Sequence, residues 1–186
     1  RSGLMERGGR SLGELTLLQE VSDVLARTVR LDRVLRVLLS AVVHPRGLGL
    51  AQAALFLCET AADNAELPVS LRGRLARRRP VDDGFDPGAG PLSADLERMA
   101  LAEDAAWEVG MAGALRRFLI PMGLEVHPLI RAMTENAPTR IQLGESEDAI
   151  EPRLGPIFGP VQAVLAPLHS QGKRLGVLVG ITDSQA

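Results

Sequence analysis

Cys58 is the only thiol in the chain, and it lies in the apolar run Ala51-Gln-Ala-Ala-Leu-Phe-Leu-Cys-Glu59. A reactive thiol needs an accessible, electropositive setting, whereas a cysteine within an apolar strand acts as a small hydrophobe; the strand context favours the second reading. The three histidines, His44, His127 and His169, are far apart and show no ligand spacing, and one cysteine cannot build a cysteine-based zinc cluster. His127 stands directly before Pro128, and two readings of it are open. It is either the cap of a helix that Pro128 begins or a polar group at the edge of a cavity. Arg131 and Arg140 carry the planar guanidinium that matches a carboxylate or phosphate, and their alternative role is to face water. The sequence holds no HExxH, Walker loop or GxSxG, so no catalytic motif is present and the segment is expected not to act as an enzyme.

Bulk properties narrow what those groups can serve. With 186 residues the chain has the size of one ordinary domain, able to bury a core without staples. It is 46% hydrophobic and 24% charged with a formal charge of −2, which argues against a nucleic-acid-coating protein. The basic run Arg77-Arg78-Arg79 is followed by Asp82-Asp83 and reads as a loop that partly neutralises itself. A single cysteine excludes an internal disulfide and fits a reducing, cytoplasmic location. Charged residues and Pro45, Pro121 and Pro167 keep every apolar run below the roughly 18 residues of a membrane span.

The elements that must position these groups follow from periodicity. Ser11-Leu-Gly-Glu14 has capping-box spacing ahead of Leu15, Leu18, Val21, Leu25 and Val29, which predicts a helix to about Arg30. Asp32 is read as the cap of a second helix, from Arg33 to about Val43. Strands are expected over 51–59 and 67–77, a helix from Ser93 to about Trp107 that Gly110 and Gly113 break, and a short edge strand within 116–122. A short helix opens at His127-Pro128 and ends at Asn136, followed by a strand over 139–143 and an acidic stretch over 144–156 with room for one helical turn. Val161–Leu168 and Leu175–Ile181 are two strands of a closing hairpin, with Gly172 in the turn. Gly176, inside a strand pattern, implies close approach of a neighbour. Few βαβ alternations and consecutive hairpins give an α+β fold, an antiparallel sheet of five to six strands with helices on both faces.

Taken in order, the paired N-terminal helical patterns with their Leu31-Asp32 step, the strand Ala53–Leu57, the segment Leu71-Arg-Gly-Arg-Leu-Ala76 and the hairpin Val164-Leu-Ala-Pro-Leu168 with Leu175-Gly-Val-Leu-Val179 resemble the GAF domain, a GAF/PAS-like sensing and dimerisation module of bacterial signalling proteins. The resemblance spans Leu15 to Asp183. It implies a last strand lying centrally beside the first, and a regulatory domain of a two-component protein, a histidine kinase by family habit. It further implies a small-molecule ligand of unknown identity and a homodimer formed through the N-terminal helix, with no nucleic acid and no membrane span in this segment. The expected division is a tail over 1–10 that is vector-derived in part, the domain over 11–183, and over 184–186 the start of a linker to an output module. Leu119 to Arg131 resembles the border of the GAF ligand cavity, which makes Phe118, Ile120, His127, Ile130, Arg131 and Arg140 the pocket candidates. The resemblance leaves any cofactor unknown, and the cyclic-nucleotide signature of one GAF subset is not found. Two alternatives stand beside this reading: a ligand-free dimerisation scaffold, and a redox or chromophore-binding domain that uses Cys58 or His127.

Overall fold

Two strands in this chain carry long apolar runs, Ala53–Cys58 and Leu175–Ile181, and both lie where a sheet is covered on both sides. β1 (Gln52–Thr60) and β6 (Lys173–Ile181) pair antiparallel at the centre of a six-stranded sheet. Successive side chains of a strand point to opposite faces. Ala54, Phe56, Val177, Val179 and Ile181 therefore enter one core, and Ala53, Leu55 and Leu178 enter the other. The computed structural model describes residues 30–61, 67–80, 90–101 and 106–183. Three expected features, the tail over 1–10, the helix from 11 as far as residue 29 and the linker start over 184–186, lie outside the described residues.

The remaining elements are a helix over 30–43 (α1), β2 (Pro68–Arg78), α2 (Leu92–Leu101), α3 (Ala106–Arg116), β3 (Leu119–Pro121), α4 (Pro128–Glu135), β4 (Thr139–Gln142), a 3₁₀ turn (Ser146–Asp148), α5 (Gly155–Phe158) and β5 (Gln162–Ser170). All strand pairs are antiparallel, in the order β3-β2-β1-β6-β5-β4. This is the expected α+β, GAF/PAS-like arrangement, with helices on both faces and the last strand beside the first. Pro121 lies at the end of the edge strand β3, where a missing N–H is tolerated.

Three details differ from the periodicity reading. Asp32 lies inside α1 rather than capping it, and its carboxylate meets Arg74 at 3.4 Å. α3 runs unbroken through Gly110 and Gly113 to Arg116, because packing on β2 outweighs the roughly 1 kcal/mol that a helical glycine costs. The hairpin turn is only Gln171-Gly172, both at positive φ (50° and 76°), so His169, Ser170, Lys173 and Arg174 belong to the strands.

A bulge in β2 decides which core each side chain enters. Leu55 faces Leu75 while the next residue, Phe56, faces Gly73, leaving Arg74 as the extra residue. An inserted residue reverses the side on which later residues point. Leu71 thus joins the α3–α5 core, whereas Leu75 packs toward α1, and Arg77 reaches the α1 side. There the buried Arg77 guanidinium donates to Ser40 Oγ of α1 at 2.7 Å and to the Met99 carbonyl of α2, and pairs with Glu108 of α3 at 3.3 Å. A second cluster, centred on the buried Asp95, fixes α2 to the end of α1: its carboxylate meets the buried His44 Nε2 at 3.4 Å and the more exposed Arg46 at 3.0 Å and Arg98 at 2.7 Å. Helix placement on this face therefore rests on charge pairing as well as on Leu35, Leu39, Val42 and Val43.

Candidate functional site

The segment from Phe118 to Arg131 crosses from the sheet edge to α4, and its residues divide by burial. Ile120 and Ile130 are fully enclosed in the α3–α5 core, and Phe118 packs half-buried against that core, its ring edge-on to Phe56 with centroids 6.4 Å apart. Arg131 is exposed on α4. Arg140 is exposed on β4; because its neighbour Ile141 enters the α3–α5 core, Arg140 and Gln142 point to the other face of the sheet. There they line an open groove of about 630 Å³ with Pro160, Val161, Gln162, Thr182 and Asp183. Three of the six pocket candidates, Phe118, Ile120 and Ile130, thus come together on one side, whereas Arg131 is exposed and Arg140 lies on the other face.

His127 is 1% exposed and both of its ring nitrogens are engaged. Nδ1 accepts the Leu129 N–H at 3.2 Å, which caps α4 and leaves the proton on Nε2. Nε2–H then donates to the Pro152 carbonyl at 2.9 Å. Burial pushes the imidazole below its ordinary value, while the Pro152 carbonyl and the nearby Asp148 carboxylate pull the other way. Pro128 occupies the first turn and Asn136, in the left-handed conformation, ends the helix. His127 therefore ties α4 to the 144–155 loop. That loop is organised by Asp148, whose buried carboxylate accepts the N–H groups of Gly144 (3.2 Å), Leu154 (3.0 Å) and Gly155 (2.6 Å).

The loop delivers α5 opposite α3, and between these helices lies a groove of about 380 Å³ lined by Trp107, Gly110, Met111, Ala114, Pro156 and Ile157. Trp107, Met111 and Ile157 pack against the same core as Phe118, Ile120 and Ile130, so the groove borders that core, and none of the six candidate residues is among its described lining. The Arg78 guanidinium lies 5.3 Å from the Trp107 ring centroid, a cation held on an aromatic face. Periodicity marks Trp107 only as the end of its helix; its place in a groove depends on α5, some 50 residues later, which no local pattern connects to it.

Cys58 is half-buried, with its Sγ 3.6 Å from Met133 Sδ. Burial pushes the thiol up and Arg174 draws it back in part, so the thiolate a nucleophile needs is disfavoured. Among the described residues, no three His, Cys, Asp or Glu side chains gather as a metal site. No helix among them is long and apolar enough to cross a membrane.

No family model matches this chain, and no curated protein matches it. Among solved structures it is similar to residues 122 to 287 of a methyl-accepting chemotaxis protein, at 14% sequence identity over 89% of this chain and 80% of that one, with a TM-score of 0.45.

Proposed function

We propose that this chain is a regulatory sensor domain of the GAF type, which takes a small molecule into the α3–α5 groove and pairs with a second copy through α1. The observation that carries the reading is the two-sided character of α1. Leu35, Leu39, Val42 and Val43 are buried against the sheet, yet Leu31, Val34 and Leu38 of the same helix are exposed at 48%, 63% and 37%. Their spacing of three and then four residues is the seam of a two-helix pair, and a second copy offers the same stripe to itself.

The groove suits a small molecule with a flat apolar body, which Trp107 and Met111 would face, and Gly110 leaves room for it. In this reading the domain performs no chemistry. A ligand that binds one arrangement of the pair more tightly biases an attached output module, here a cytoplasmic histidine kinase, by that difference in affinity. Light scattering on the eluting protein tests the pairing: wild type runs at twice the monomer mass, and Val34→Glu, which places a charge on the seam, runs as a monomer with unchanged circular dichroism. A monomeric wild type at micromolar concentration overturns it.

A further inference from the structure

α3 touches two different parts of the molecule with two of its faces. Glu108 and Ala112, one helical turn apart, close a void of about 10 Å³ together with Arg36 and Leu39 of α1 and with Leu75, Ala76 and Arg77 of β2. Trp107, Met111 and Ala114 recur at the same helical interval on another face and line the α3–α5 groove. One helix thus lies between α1, which carries the seam, and the groove.

Two consecutive residues of β2 hold two consecutive residues in the first turn of that helix. Arg77 and Arg78 point to opposite faces of the strand. Arg77 pairs with Glu108 at 3.3 Å, and the Arg78 guanidinium lies 5.3 Å from the Trp107 ring centroid. Arg77 also donates to Ser40 Oγ of α1 at 2.7 Å, and the Ser40 hydroxyl donates in turn to the Arg36 carbonyl at 2.7 Å, one turn earlier in α1. A further N–H of Arg77 goes to the Met99 carbonyl of α2. One buried cation therefore joins three helices. Removing a partner from a buried charge is far more costly than breaking a surface pair, so α1 moves over the sheet only if Arg77 follows. Glu108 then follows Arg77, and the turn that carries Trp107 follows Glu108. Well-packed apolar side chains often hold such a position with no loss of stability, so anchoring alone does not call for a charge there; a guanidinium bonded to three helices fixes where each stands relative to the others.

We propose that the Arg77–Glu108 pair is a relay between the groove and the seam: a body wedged against Trp107 shifts α3, and the pair passes that shift to Ser40 and so to the α1 surface on which a second copy docks. The relay rests on the sensor reading, since it joins the two sites which that reading names. Packed helices answer such a push by shifts of about 1–2 Å between discrete arrangements rather than by smooth deformation.

A cycle of variants of the full chain tests the relay. Gly110→Phe fills the groove, Arg77→Met/Glu108→Leu makes the relay apolar, and the dimer Kd is read by sedimentation for wild type, for each variant and for the combination. Filling the groove is expected to change Kd by about two- to thirtyfold in the wild-type background and to leave it unchanged when the relay is apolar. Arg131→Gln, at an exposed cation on α4, leaves the response to Gly110→Phe intact. A second readout needs no variant, because Trp107 is the only tryptophan of the chain and there is no tyrosine: acrylamide quenching of its fluorescence is expected to shift over the same protein concentrations at which the pair dissociates. A wild type that never pairs overturns the sensor reading and the relay with it. A wild type that pairs overturns the relay alone if its Kd is unmoved by filling the groove, if the apolar background responds equally, or if Trp107 quenching stays constant through dissociation.

Discussion

Replacing His127 by alanine removes two hydrogen bonds that belong to different elements, and the cost can be worked from their geometry. Loss of the Nδ1 cap on the Leu129 N–H costs about 1 kcal/mol, the usual value for an N-cap. The Pro152 carbonyl, deprived of its 2.9 Å donor in a buried site, costs a further 1–3 kcal/mol, roughly. His127→Ala is therefore expected to lower unfolding stability by about 2–4 kcal/mol, read from urea midpoints followed by circular dichroism. His127→Asn retains a good cap but falls short of Pro152, so it loses about 1 kcal/mol less. The pH dependence has a definite sign. Burial lowers the folded-state value below the ordinary 6.5, so from pH 6.5 downward the unfolded chain binds the proton first and stability falls with falling pH. The alanine variant lacks that proton, and its stability curve is flatter over this window by at most about 1.4 kcal/mol per pH unit. An alanine variant within about 0.5 kcal/mol of wild type, half the usual cap loss, refutes the linking role given to this residue.

Two further substitutions test the sheet and the buried charge pair. Gly176→Ala drives a methyl group into the Phe56 carbonyl oxygen and is expected to cost about 1–3 kcal/mol, the range for overpacking, in the same urea assay; a neutral result would mean that β1 and β6 do not approach as described. Glu108→Ala leaves the buried Arg77 guanidinium with Ser40 and the Met99 carbonyl only, and is expected to cost about 3–5 kcal/mol, while Arg77→Met with Glu108→Leu recovers most of it. Recovery that fails would show that the pair contributes more than its own charge balance.

The parts of the fold legible from residue order are those in which one strand or helix declares its own environment. Val177 to Ile181 is apolar throughout because both of its faces are covered, and the Gln171-Gly172 turn carries its own positive-φ chemistry. The cap at His127 was readable from Pro128, whereas its second partner, the Pro152 carbonyl, was not, since that contact is made by a loop 25 positions away. The same limit hid the α3–α5 groove. Gly110 and Gly113 suggested a helix break because local propensity is all that a single helix reveals, but the close seating of the Leu115 carbonyl on Gly73 of β2 shows that tertiary packing settles the outcome. The bulge at Arg74, and with it the burial of Arg77, depends on the register with β1 and leaves no mark in the periodicity of β2 alone.

The proposed sensor role requires the α3–α5 groove to hold a small molecule. Native mass spectrometry of the purified chain, beside a Gly110→Phe variant, measures this most directly, because a Cβ at position 110 meets no neighbour and the added ring would occupy the groove without disturbing the core. The wild-type protein is expected to carry a stoichiometric extra mass that is lost in Gly110→Phe. A wild-type protein that is bare in every preparation, or an extra mass that persists in the variant, would contradict it.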